Sequence, residues 1–467
     1  MPRCWMFALM AGCSANPSET PPVASPDWTV TCGTSTDNAL RLVCTLEGVT
    51  NGPVTVAITE RELLDSPAQA QTIAVGESAV FWGFLPEEAV VWTATSGTQV
   101  QTGTAELGAL PDALSVQWNI EGSAEVGPFL VNQPCGNTAA LYVVDRDGRI
   151  RWYQDFPEDS LPTFGGNIHA YAVTPDGTLL VGLQRDELRR IALDGRVLAR
   201  TFATDIGPAA RFHHDAYATS NRIYALFAEP VTCPDATYVL DGIAVYDTDL
   251  NPLTTWRLAD HVDPCLTGGP AGGFWQSTFD LAIDWSHANS VWATDDDGTL
   301  LVSLRHQDAV IALPGPDRPE WPSVDWVLTG TDAHALAGDF TWQSPADGPL
   351  HGFDGQHHAT LTESGTLTVF DNSSAERSDG SRGVEIQLDG EAATVVAEWP
   401  LDTFCAIQGA TEAQADGTAL VTCSTEARVT LVAPFDPEPL WSLSAQCDPG
   451  TAANSISRFT TGGTLPL

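Results

Sequence analysis

All ten histidines of this 467-residue chain lie between His169 and His358, and none falls in the other 277 positions. They come in short groups beside polar partners: His213-His214-Asp215, Asp284-Trp-Ser-His287-Ala-Asn289, Arg305-His306-Gln307 and Gln356-His357-His358. Neutral imidazole is nucleophilic near pH 7, departs again readily and carries protons. Arginine keeps its charge and offers a fork of donors to an anionic group. Such a set suits group transfer from an anionic substrate. Any one histidine alone reads more simply as a cap on a strand, and convergence of several favours a site. A second reading places a divalent transition metal among the histidines with Asp215 or Gln356. Arg305 argues against it, because a fixed cation beside a metal needs an anion between them. No metal and no cofactor are expected.

These residues need elements that bring them together, and a repeat supplies them. From about residue 119, units open on a strand, cross a tight turn and continue into an apolar strand, as in Ile168-His-Ala-Tyr-Ala-Val-Thr-Pro-Asp-Gly-Thr-Leu-Leu-Val181. Asp297-Gly298, Ser364-Gly365 and Asp416-Gly417 repeat the turn, and Trp152, Trp256, Trp326, Trp399 and Trp441 mark closing strands. Period-two alternation around Asp-Gly turns means antiparallel hairpins. Six units are counted, at 119–165, 166–210, 211–282, 283–350, 351–403 and 404–467, with five or seven also compatible. Four-stranded units of this kind close radially into a β-propeller, which hides sheet edges. The fold class is therefore all-β: a six-bladed propeller preceded by a small β-sandwich at 27–118, whose strands include 28–32, 39–44, 54–58 and 90–94. Counting back seven positions from Asp176, Asn221 and Ser364 gives His169, His214 and His357. Equivalent positions on inner strands converge near the axis.

The charge is −40, from 20 basic and 60 acidic side chains, and every basic residue is arginine. That field repels polyanions, so nucleic acid is excluded as a partner. Residues 1–12 read as a signal ending Met10-Ala-Gly-Cys13, and Ser14 to Pro26 as a polar, proline-rich tether. This pattern resembles a bacterial lipoprotein signal and implies cleavage before Cys13, acylation of its thiol and an exported location, periplasmic or cell-surface. The membrane is then a partner through the lipid anchor only. Export makes disulfides expected. Cys32, Cys44, Cys135, Cys233, Cys265, Cys405, Cys423 and Cys447 allow roughly 100 pairings. Nearness in the chain suggests 32 with 44, 233 with 265 and 405 with 423, leaving 135 with 447. Asp295-Asp-Asp-Gly298 reads as a hairpin turn and not a calcium loop, and Asn372-Ser-Ser374 is a sequon without weight here.

The ordered set Asp284-Trp-Ser-His-Ala-Asn-Ser290, Leu300-Leu-Val-Ser-Leu-Arg-His-Gln307, Gly355-Gln-His-His-Ala359 and Thr366-Leu-Thr-Val-Phe-Asp-Asn372 resembles the bacterial arylsulfate sulfotransferase family. The resemblance is close over about residues 205 to 375. It implies sulfuryl transfer from a phenolic sulfate ester to a phenol, without a nucleotide donor and through a sulfohistidine. Carried over motif by motif, it makes His357 the nucleophile, with His358 the neighbour easily mistaken for it. His287 and Arg305 match the sulfate-binding pair. His213-His214 matches the remaining histidine, and the repeat phase favours His214. Substrate contacts are assigned to His213, His358, Trp285 and Asn289, with Trp342 as a second wall. The alternatives are a metal-dependent propeller enzyme and a non-catalytic, ligand-binding surface lipoprotein. The natural donor, the acceptor and the oligomeric state are not legible in the sequence.

Overall fold

The computed structural model describes residues 26–447, apart from 51, 63–68, 136–137, 158–167, 268–271, 331–333, 344–351 and 374–379, together with 460–461. Cys13, the signal and nearly all of the tether lie outside the described residues, as does His351. No helix among the described residues is long and apolar enough to cross a membrane.

The chain is nearly all β. Its first strands form a three-stranded sheet (Trp28–Thr34, Leu42–Gly48, Ser78–Phe81) and a four-stranded sheet (Ala70–Ile73, Val54–Glu60, Ala89–Ser96, Gln99–Glu106). Inward residues alternate with outward ones along these strands, so one face of each sheet is apolar. Trp28, Leu42, Val54, Phe81 and Trp92 meet in the core between the two. Polar contacts fasten this unit to the strands beyond it: Asn38 Nδ2 donates to Tyr153 O at 2.8 Å, and Arg151 Nε to Gly83 O at 3.0 Å.

Among the described residues six further sheets succeed it, each with at least four strands. Their first strands in the second to sixth sheets are Ile168–Val173, Arg211–Ala218, Ala288–Ala293, His357–Leu361 and Ala410–Ala413. A separate apolar core lies between each sheet and the next, and Trp441 and Leu443 of the sixth sheet pack with Phe129 and Tyr142 of the first. The sheets are therefore arranged around a ring. Closing tryptophans bridge neighbours: Trp152 Nε1 donates to Leu193 O at 2.8 Å, Trp256 Nε1 to Pro322 O at 3.0 Å and Trp399 Nε1 to Gly417 O at 3.0 Å. Buried indole N–H groups need such partners.

The two ends of the ring exchange strands. Gln117–Gly122 pairs with the outer strand of the sixth sheet, and Thr460–Thr461 pairs with Phe129–Asn132 of the first. A repeat opening at 119 thus cuts through a strand belonging to the last sheet. The exchange leaves fewer open edges to pair with other chains.

Disulfides join Cys32 to Cys44, Cys135 to Cys447, Cys233 to Cys265 and Cys405 to Cys423. The Asp295–Asp297 turn is structural: Asp297 accepts from Thr219 Oγ1 at 2.7 Å and Tyr224 OH at 2.9 Å, joining the third sheet to the fourth.

Candidate active site

The inner strands place their histidines by one rule. Four residues before the last ladder pair of each first hairpin, at Val173, Ala218, Ala293, Leu361 and Ala413, stand His169, His214, Asn289, His357 and Gly409. The count from the turn thus adds Asn289, which the histidine pattern alone did not show. Ladder register shifts at the entry to the second, third, fourth and fifth first strands. His214, His287 and His358 there adopt left-handed φ of 52°, 50° and 52°. Such backbone costs about 1 kcal/mol or more per residue and re-aims a side chain. His214, Asn289, His357, His358, Tyr171, Asp215, Gln408 and Gly409 line one narrow cavity.

His357 is held from both sides. Its Nδ1 lies 2.7 Å from Asn372 Oδ1 and 3.2 Å from Gly355 O, and Gln408 N–H donates to Nε2 at 3.2 Å. Burial first, and Arg305 second, hold its pKa well below the ordinary histidine value. The ring is neutral at physiological pH.

His287 Nδ1 donates to Asp284 Oδ2, while His306 Nδ1 donates to Asp284 O at 2.8 Å. Burial pushes the Asp284 carboxyl up, but His287, His306 and His213 together bring it below the usual range. Arg305 Nη2 donates to Ala406 O at 3.1 Å, and its buried Nε finds no partner among the described residues. A buried guanidinium N–H without a partner is costly and suits an incoming anion.

His214 packs against His287 with ring centroids 4.7 Å apart. Burial lowers its pKa well below the ordinary value, with His287, His213, His357 and Arg185 adding to the effect. His213 stands behind it. His213 Nδ1 lies 2.8 Å from His214 Nδ1, and His213 Nε2 lies 2.9 Å from Asp241 Oδ1, with its N–H off the direct line. Asp241 Oδ2 accepts from Ser286 Oγ at 2.6 Å. A carboxylate beside Nε2 favours the proton there, so Nδ1 of His213 accepts from His214 and leaves His214 Nε2 bare.

Several assignments are corrected by this geometry. His213 is 1% exposed and does not line the cavity, so it supports His214 and does not touch substrate. Trp285 is fully buried in the core between the third and fourth sheets and cannot be a substrate wall. Trp342 packs edge-on against Phe353 and donates to Thr329 O at 2.8 Å, a packing role. His169 lies over Gly182 in its own sheet, with its pKa lowered to about 3 by burial, and is a structural member of the repeat. Of the side chains in the metal reading, Gln356 is fixed by Nε2 donating to Ser303 Oγ, Leu304 O and Ala309 O, with Oε1 lacking a partner among the described residues, and Asp215 Oδ2 accepts from Val291 N. Asp284, His287 and His306 do bring ligand atoms within 4.8 Å of one another. Hydrogen bonds among them and the adjacent Arg305 account for that cluster.

Sequence reasoning also passed over Arg185, whose guanidinium stacks 4.5 Å from the Phe274 ring and 4.8 Å from Trp275. Asn372, Asp284, Asp241 and Gln408 went unnoticed as partners too. Asp284 and Asn372 stand inside quoted motifs, which was the available signal.

The fold and the site together define a β-sheet enzyme built to handle an anionic group. A profile of the family described as Arylsulfotransferase (ASST) matches residues 121–438, so the chain belongs to that family and is a sulfotransferase with small-molecule donor and acceptor substrates. No curated protein sequence matches the chain. Among solved structures it is similar to the periplasmic gluconolactonase of Pseudomonas aeruginosa, at 12% identity over 88% of this chain and 99% of that one, TM-score 0.32. A dihydro-heme d1 dehydrogenase matches at 12% identity over 74% and 78%, TM-score 0.37. A streptogramin B lyase matches at 10% identity over 72% and 100%, TM-score 0.36.

Proposed function

We propose that this protein transfers a sulfuryl group from a phenolic sulfate ester to a phenol by a ping-pong route, with the sulfuryl group carried on His357. The single observation that supports it most is a buried neutral imidazole lining the cavity with, close enough to act on it electrostatically, a guanidinium that has a donor to spare.

In the first half-reaction Arg305 Nε and His287 hold the sulfuryl oxygens. His357 Nε2 attacks sulfur, the sulfur–oxygen bond to the aryl group breaks, and the phenolate leaves. Charge gathers on the transferred oxygens and the leaving oxygen, where fixed donors stabilise it most. The Gln408 N–H beside Nε2 turns to a sulfuryl oxygen once sulfur takes the lone pair. In the second half-reaction a phenol occupies the vacated place and gives its proton to His214 Nε2. Its oxygen attacks sulfur, the sulfur–nitrogen bond breaks and the electron pair returns to His357. The same His214 proton serves the next departing phenolate. Asn289 Nδ2 donates to Gln356 O at 2.6 Å and its buried Oδ1 has no partner among the described residues, which suits a phenol hydroxyl. His358 lines both this cavity and a chamber of about 370 Å³ flanked by Tyr217 and Trp292, room for an aryl body.

We further read the six sheets as a six-bladed propeller that begins with the strand Gln117–Gly122, and the preceding two sheets as a separate sandwich. The protein is proposed to be exported and tethered by a lipid on Cys13, as a periplasmic or cell-surface lipoprotein. A turnover assay with 4-nitrophenyl sulfate and excess phenol, on wild type and on His357→Ala, tests the function. Sulfated phenol from the wild type alone is expected. Equal turnover by the variant would remove His357 from the chemistry, and no turnover by either across a range of phenols would favour a ligand-binding lipoprotein.

A further inference from the structure

We infer that Asn372 is a positioning residue that locks His357 in one tautomer, with the proton on Nδ1 and the lone pair on Nε2. Side-chain amides look alike from both ends, and here the surroundings decide the orientation. Asn372 Nδ2 donates to Cys405 O at 2.7 Å and to Gln408 O at 2.8 Å. Two carbonyl acceptors can be satisfied only by the amide nitrogen. Oδ1 therefore faces His357 Nδ1, and an oxygen acceptor at 2.7 Å demands N–H on that ring atom. Gly355 O, 3.2 Å from the same Nδ1, makes the same demand. From the other side Gln408 N–H points at Nε2, which must accept. Three independent partners thus agree on one tautomer.

The asparagine is itself clamped. Ser381 Oγ donates to Asn372 O at 2.8 Å and accepts from Cys405 N at 2.8 Å, and Asn372 is 1% exposed. It cannot swing away without leaving several buried groups unpaired, each costing about 1–3 kcal/mol.

The catalytic part of the inference rests on the sulfotransferase reading. Attack by Nε2 on sulfur gives a sulfo-imidazolium that keeps its Nδ1 proton, so no proton has to move on the ring when sulfur arrives or departs. A neutral amide stabilises that cation without removing its proton, and the ring remains a good leaving group. A carboxylate in the same place would favour imidazolium before sulfur binds, blocking the lone pair. The other charged or titratable groups around His357 are Arg305, His287, His214, the adjacent His358 and, lining the same cavity, Asp215 and Tyr171. Asn372 is the side chain that addresses Nδ1, beside the backbone carbonyl of Gly355.

Nitrogen-15 NMR on the full chain with labelled histidine reads the tautomer directly. The expected result is a protonated Nδ1 and a bare Nε2 at His357, assigned by loss of the signal in His357→Gln. A bare Nδ1 overturns the inference, whether or not the protein turns over aryl sulfates, so its failure is separable from failure of the functional reading. The catalytic part is read by pH profiles. Asn372→Asp is expected to move the acid limb of kcat/KM upward by roughly 1–3 pH units. Asn372→Ala is expected to lower kcat about 100-fold with little change in KM. An unmoved limb in the first variant with a wild-type kcat in the second overturns it. If both variants fail to fold, the wild-type spectrum still decides.

Discussion

The Cys405–Cys423 disulfide ties the segment that closes over His357 to the second strand of the sixth sheet. Within that segment Cys405 O and Gln408 O accept from Asn372, Ala406 O accepts from Arg305 and Gln408 N donates to His357. Four contacts to three site residues thus rest on one short stretch of backbone. Removing the bond by the Cys405→Ser, Cys423→Ser double substitution is expected to lower kcat about tenfold or more, since misplaced catalytic groups cost rate steeply. The Cys32→Ser, Cys44→Ser pair, in the N-terminal sheets, serves as the control and should leave kcat unchanged. Equal loss in both pairs would mean that the disulfides act only through overall stability.

Asp284 serves two histidines, through its carboxylate to His287 and its carbonyl to His306. In Asp284→Asn the carbonyl remains, and the charge beside His287, which also acts on His306, Arg305 and Arg185, is lost. Weaker grip on the sulfuryl group should appear as kcat/KM lowered roughly 10- to 100-fold, about 1.4–2.7 kcal/mol of transition-state stabilisation. Steady-state kinetics with 4-nitrophenyl sulfate checks it. Wild-type kinetics would show that the carboxylate is not needed to orient His287.

Trp285 is in the core and not on the cavity wall. Trp285→Phe should therefore lower the melting temperature and leave KM for aryl donors unchanged, whereas a wall residue would show the opposite. Truncation to alanine should cost about 3–5 kcal/mol of stability.

Buried histidines make the fold sensitive to acid. Burial lowers His169 to about 3 and, with His287 adding, His306 to about 4, and His214 and His357 are also lowered. In the unfolded chain all four take protons near pH 6.5. As pH falls below 6.5 the unfolded state binds more protons than the folded one, so stability declines with falling pH until each folded pKa is reached. Each such histidine contributes a slope of about 1.4 kcal/mol per pH unit in that window. Denaturant unfolding between pH 7 and pH 5 measures it, and His169→Gln should flatten the dependence. A constant stability over that range would contradict neutral burial.

How much of this was legible depends on the kind of signal. Turn phase carried His214 and His357 to one position, because a hairpin turn fixes register along its first strand. The same count holds Asn289, which the sequence had already offered through its motif and not through turn phase. Chain proximity gave three of the cysteine pairs seen in the structure, and Cys135 with Cys447 followed as the remainder. Trp285 misled, because a tryptophan one residue from Asp284 reads the same whether it faces a cavity or a core. Side-chain direction after a left-handed residue such as His287 is set by the local bend, which no spacing encodes. Partners distant in sequence depend on tertiary structure: Asp241 and His213 stand on two strands of one sheet with a third between them, and Cys405 meets Asn372 where the fifth sheet adjoins the sixth.

The central claim is that sulfur passes through His357. Wild-type protein incubated with 4-nitrophenyl sulfate and no acceptor, quenched in alkali, digested and analysed by mass spectrometry should carry one added SO3 on His357. His357→Ala should carry none, and added phenol should discharge the wild-type adduct with formation of the sulfated phenol. Steady turnover with no adduct at His357, or an adduct on His358 that phenol discharges, would contradict the account.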